Sequence, residues 1–61
     1  MIFAVIKDGV VINRVVDDVS QEHCEEICAI FYPGCTVVLV DGIVPDPGIG
    51  WSYDGTNFSP P

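Results

Sequence analysis

The stretch IFAVIKDGVVINRVV, residues 2–16, decides the fold. Ile2 to Lys7 and Val10 to Val16 are rich in Val and Ile and flank Asp8-Gly9, a dipeptide that tolerates the positive φ angles of a two-residue type I′ turn. The reading is a β-hairpin. Its regular register sets Lys7 opposite Val10, Val5 opposite Ile12 and Phe3 opposite Arg14. One face then carries Phe3, Val5, Val10 and Ile12 with Lys7 and Arg14, and the other carries Ile2, Ala4, Ile6, Val11 and Val15 with Asn13. An antiparallel sheet with one wet face alternates apolar with polar residues. This hairpin is apolar on both faces, so each needs a cover.

Downstream residues supply one cover as a helix. Asp17, Asp18 and Ser20 are N-cap types; with Ser20 as the cap, Val19 and Cys24 take the positions of a hydrophobic staple. Glu22, Glu25 and Glu26 fall in the first turns, where carboxylates interact favourably with the helix dipole. Cys24, Ile27, Cys28 and Phe31 form an i, i+3, i+4, i+7 stripe with Ile30 on its flank, and Pro33-Gly34 ends the helix. Thr36 to Val40 is a β-branched run that reads as a third strand, closed by Asp41-Gly42, with Ile43-Val44 as a short extension. From Pro45 the texture becomes Pro- and Gly-rich, with Trp51 and Tyr53 on one strand face and a Tyr53-Asp54-Gly55-Thr56 turn leading to Phe58. The expectation is a single small α+β domain: an antiparallel hairpin, one helix and a third strand forming a ββαβ core over 1–44, then an aromatic C-terminal hairpin within 45–61.

Composition bounds what such a domain can do. In 61 residues there are nine acids against two bases, a net charge of -7, and 49% of positions are hydrophobic. Nucleic-acid affinity comes mainly from several Lys and Arg contacts that release counterions, so Lys7 and Arg14 alone argue against DNA or RNA. The apolar content argues against an acidic disordered tail. Met1 to Ile6, broken by Lys7-Asp8-Gly9, is too short for a signal-peptide core or a membrane span, and an acidic surface is repelled by anionic lipid. A soluble chain made in a cytoplasm, without a membrane partner, is expected. A chain this short buries only about 60% of its unfolded surface, so one uncovered hairpin face would leave it marginal or self-associating.

The residues with ligand or nucleophile chemistry read as structural. Cys24 and Cys28 lie one helical turn apart on the apolar stripe, as buried thiols often do. A disulfide involving Cys35 and a metal site using His23 are the other readings. His23 points about 100° away from Cys24 around a helix, which suits neither zinc nor a cysteine nucleophile with an adjacent base. Most of the aspartates, Asp8, Asp17, Asp18, Asp41, Asp46 and Asp54, occupy turn or cap positions. Asp17-Asp18 with Glu22 lacks the glycine-punctuated spacing of a calcium loop, and no phosphate loop, nucleophile elbow or dinucleotide fingerprint occurs. The expectation is a non-enzyme with no cofactor and no metal. Trp51, Tyr53 and Phe58 either close the core or anchor a partner, and Phe3, Val5 and Ile12 join them as partner-binding candidates through the apolar hairpin face.

Two stretches carry a family resemblance. FAVIKDGVVINRVVDD, from Phe3 to Asp18, and PGIGWSYDGTNFSPP, from Pro47 to Pro61, resemble small virion proteins and tail-fibre-type modules of tailed bacteriophages, in which an AVIxxGVVxN strand pair and a closing GxGWxYDGxxFxP recur. About half the chain is covered; the cysteine helix departs from the pattern. The resemblance implies a structural protein of the virion, assembled in the host cytoplasm and bound to other phage structural proteins or to copies of itself. A tail-associated part (tail fibre, baseplate or tail accessory protein) is the first expectation. A capsid decoration or cement protein is the alternative, and a small free regulator or inhibitor masking a basic host target the second.

Overall fold

The computed structural model describes residues 1–16, 18 and 20–61. Strands β1 (Ile2–Lys7), β2 (Val10–Val16), β3 (Thr36–Leu39), β4 (Ser52–Tyr53) and β5 (Phe58–Ser59) form one antiparallel sheet in the order β3-β1-β2-β4-β5, with α1 (Gln21–Phe31) following β2. The small α+β architecture expected from the sequence is present. Asp8 and Gly9 both have positive φ, 54° and 76°, as a type I′ turn requires.

The hairpin register departs from the regular one at a bulge. Lys7 faces Val10 and Ile6 faces Val11, but Val5 then faces Asn13, Ala4 Arg14 and Phe3 Val15, which leaves Ile12 as the extra residue of β2. One inserted residue reverses the parity of everything beyond it. Val15 and Asn13 therefore join Phe3 and Val5 on one face, while Arg14 moves to the face of Ala4. The bulge is what lets β2 send Val11 to one core and Val15 to the other.

Because successive side chains of a strand point to opposite faces, the central strand β1 feeds two cores. Phe3 and Val5 pack with Cys24, Cys28 and Val37 beneath the helix, flanked by Val15, Tyr32 and Cys35. Ala4 and Ile6 pack with Val11 and Val40 on the other side, flanked by Ile2, Val38, Trp51, Tyr53 and Phe58. Both hairpin faces are thus covered within one chain. The uncovered face anticipated from the hairpin and helix alone is closed by Trp51, Tyr53 and Phe58 of the C-terminal segment.

Helix α1 begins where the cap chemistry places it. Ser20 has extended backbone geometry and its Oγ accepts the His23 N–H at 3.2 Å. The anticipated staple partner Val19, like Asp17, lies outside the described residues. Cys24 and Cys28 are buried as expected, but Phe31 is 71% exposed and Ile30 78%. The stripe ends early because the chain leaves the helix at Tyr32, whose N–H donates to the Cys28 carbonyl at 2.6 Å. Tyr32 then takes the core position, and its hydroxyl accepts a hydrogen bond from Asn13 Nδ2 on β2.

Strand β3 ends one residue earlier than Val40, though the Val40 N–H still donates to the Ile2 carbonyl at 2.9 Å. Asp41 Oδ1 accepts the Ile2 N–H at 2.6 Å, and Gly42, at φ 77°, completes the turn that the Ile43 N–H closes on the Val40 carbonyl. Ile43 and Val44 do not extend the strand.

Candidate interaction surface

The C-terminal segment is tied to the hairpin by backbone bonds. The Val11 N–H donates to the Trp51 carbonyl, the Gly50 N–H to the Val11 carbonyl and the Tyr53 N–H to the Gly9 carbonyl, each at 2.8 Å. The Tyr53 carbonyl oxygen lies in van der Waals reach of the turn at Gly9, 3.4 Å from where a Cβ there would stand. A second tie crosses to β2: Arg14 Nη2 meets both Asp46 carboxylate oxygens at 2.9 Å. Such a partly exposed pair is worth at most about 1 kcal/mol; it holds the Pro45-Asp46-Pro47 strap in register more than it stabilises the chain.

Asp54 organises the β4–β5 turn. Its Oδ1 accepts the Asn57 N–H at 2.7 Å and the Thr56 N–H at 2.8 Å, while the Asp54 N–H donates to the Asn57 carbonyl. The bonds from Asn57 and then Thr56 hold the Asp54 carboxyl below its ordinary value of 3.8. A depressed folded value means the stabilisation is complete above the unfolded value and is lost as pH falls through the folded one. The Thr56 and Asn57 amide shifts are therefore expected to titrate together with a midpoint below 3.8; a midpoint at or above it contradicts the turn as described. Beyond the turn, the Tyr53 and Phe58 rings meet at 4.5 Å between centroids, tilted by 32°.

The partner-binding candidates divide on burial. Phe3 and Val5 are 0% exposed, sealed beneath α1, so they are core residues and offer no contact surface. Ile12 stands at the bulge, partly open to solvent at 41% exposure. Trp51, Tyr53 and Phe58 are half-buried, each with one side against the core of Ala4, Ile6, Val11 and Val40. Trp51 and Phe58 also line a groove of about 280 Å³ with Ile43, Val44, Pro45 and Asn57. Val44 is 89% exposed on its rim. The sequence reading missed Ile43 and Val44 by assigning them to a strand end.

The remaining chemistry-bearing residues take structural positions. Cys24 Sγ and Cys28 Sγ lie 3.9 Å apart inside the helix-side core, Cys35 packs at its margin, and His23 is exposed. Among the described residues no group of three or more His, Cys, Asp or Glu side chains is placed to hold a metal ion, and no helix is long and apolar enough to cross a membrane. Comparison with protein-family models, with curated proteins and with solved structures gave no match.

Proposed function

We propose that the chain is a non-enzymatic structural subunit of a tailed-phage virion, tail-associated, that docks on a neighbouring subunit through its C-terminal aromatic face. The observation that carries this reading is the groove in which Trp51, Phe58 and Ile43 stand beside the exposed Val44, with Thr56 and Asn57 as its polar side, on a chain of net charge -7. Aromatic anchors with one buried side are rigid, so they lose little entropy on docking. Further support comes from the two stretches that resemble phage modules: they are contiguous in space, since β2 pairs with β4 and the Gly9 turn bonds Tyr53. A unit built that way presents one continuous surface.

The test uses a side chain that the fold does not need. Val44→Asp adds a charge at the rim without removing core contacts, and the free variant is expected to keep the parent's circular dichroism and melting. In particles, quantitative mass spectrometry should find the parent at many copies and the variant at least tenfold lower. Absence of the parent from purified particles, or normal incorporation of Val44→Asp, overturns the reading.

A further inference from the structure

The open edge of the sheet at β3 offers a second surface, independent of the virion reading. The Val40 N–H donates to the Ile2 carbonyl, so the bonded pairs along β1 and β3 run through Val40, Val38 and Thr36. In an antiparallel ladder the residues between them turn their backbone groups the other way. Val37 and Leu39 therefore direct their N–H and C=O groups away from β1; those of Leu39 are open, whereas Val37 is 4% exposed and lies beneath the Gln21 side chain. Native sheets guard such edges with charge, Pro, a bulge, a short strand or a cover. Here β3 is a short strand, Thr-Val-Val-Leu, covered at Val37 by Gln21, but it carries no charge, Pro or register shift, and Leu39 is left open. Leu39 is 38% exposed.

A groove of about 420 Å³ runs beside this edge. It lies between the helix, through Glu25 and Ala29, the Tyr32–Cys35 turn, and the start of the strand, through Thr36 and Val37. Strand edge and helix flank together match the shape that receives an added strand, with main-chain bonds on one side and side-chain sockets on the other. The Val37 carbonyl is met by Gln21 Nε2 at 3.4 Å, and the same nitrogen lies 3.4 Å from Glu25 Oε1. A strand N–H at about 2.9 Å makes a shorter bond than that contact and would displace it. Glu25 is the one charged residue lining the groove, and the chain as a whole is strongly acidic.

From this arrangement we infer that β3 captures an extended peptide segment of a protein partner, adding it as a sixth strand, with a basic side chain of the partner against Glu25. A second copy of the chain fits worse, because it brings another -7 and a second Glu25 to the same edge.

The probe is a synthetic peptide, Lys-Val-Thr-Val-Lys-Val-Thr with blocked ends, compared with a form carrying Glu for each Lys and a form N-methylated at alternate residues. Titrated into the labelled chain, the basic peptide should shift the amides of Thr36 to Leu39, Glu25 and Ala29 and slow exchange at Val37 and Leu39. It should bind at least tenfold more tightly than the acidic form, and the N-methylated form should not bind. Glu25→Lys should remove the preference for the basic form. Leu39→Pro, which deletes an outward N–H that an edge strand can spare, should keep the fold and abolish binding. No shift at millimolar peptide, equal binding of both charge forms, shifts centred elsewhere, or concentration-dependent protection of Val37 and Leu39 without peptide each overturns the inference.

Discussion

Phe3→Ala is expected to remove most or all of the chain's stability at room temperature. Phe3 is fully buried at the centre of the helix-side core, against Val5, Cys24, Cys28 and Val37. Truncating a buried Phe costs about 3–5 kcal/mol, through lost transfer free energy and the cavity left behind. The stability available is of the same size: at roughly 0.05–0.15 kcal/mol per residue, a chain this short holds about 3–9 kcal/mol. Relaxation cannot recover much of the loss, since the ring is clamped between the sheet and two cysteines on adjacent turns of α1. The measurement is urea denaturation followed by far-UV circular dichroism. The variant should show no folded baseline, or a midpoint less than half that of the parent; a midpoint within a tenth of the parent's would mean that Phe3 does not anchor this core.

That single residue also shows what local sequence can and cannot specify. Strand alternation puts Phe3 on an apolar face with Val5, but that this face is sealed by α1 rather than offered to a partner is set by the tertiary packing. The turn at Asp8-Gly9 was legible because few dipeptides accept two positive φ angles. Ser20 and the cysteine turn were legible for the same reason, a short-range rule with one dominant solution. The bulge at Ile12 was not. Nothing in Val11-Ile12-Asn13 marks an inserted residue; its cause is tertiary, the need to send Val11 and Val15 to opposite cores. The misplacement of Phe31 has a similar origin. Periodicity puts it on the stripe, but the chain turns at Tyr32, and Asn13, brought to that face by the bulge, donates to the tyrosine hydroxyl. The candidate surface was partly readable: aromatic residues near the C-terminus announce a contact, whereas which side of each ring is buried depends on the sheet order that joins β4 to β2.

Trp51→Ala should separate closing the core from presenting a surface, because Trp51 does both. Its inner side packs on Ala4, Ile6, Val11 and Val40, and its outer side lines the groove with Val44 and Phe58. If about half of a tryptophan's buried-area capacity of roughly 200 Å² is used internally, removal forfeits about 2–3 kcal/mol at 25 cal/mol per Å². That is a large share of the total, yet less than the loss of Phe3, so the variant should stay folded with a much lower urea midpoint. The damage should be local. The amides of Val11, Gly50 and Tyr53, whose bonds tie the C-terminal segment to the hairpin, should lose exchange protection, while the Val40 amide on Ile2 and the Cys24 amide on Ser20 keep theirs. An unchanged midpoint with reduced particle occupancy would make Trp51 a docking residue alone. A lowered midpoint with a loss of occupancy greater than Val44→Asp produces would show the two roles acting through one side chain, as its half-buried position implies.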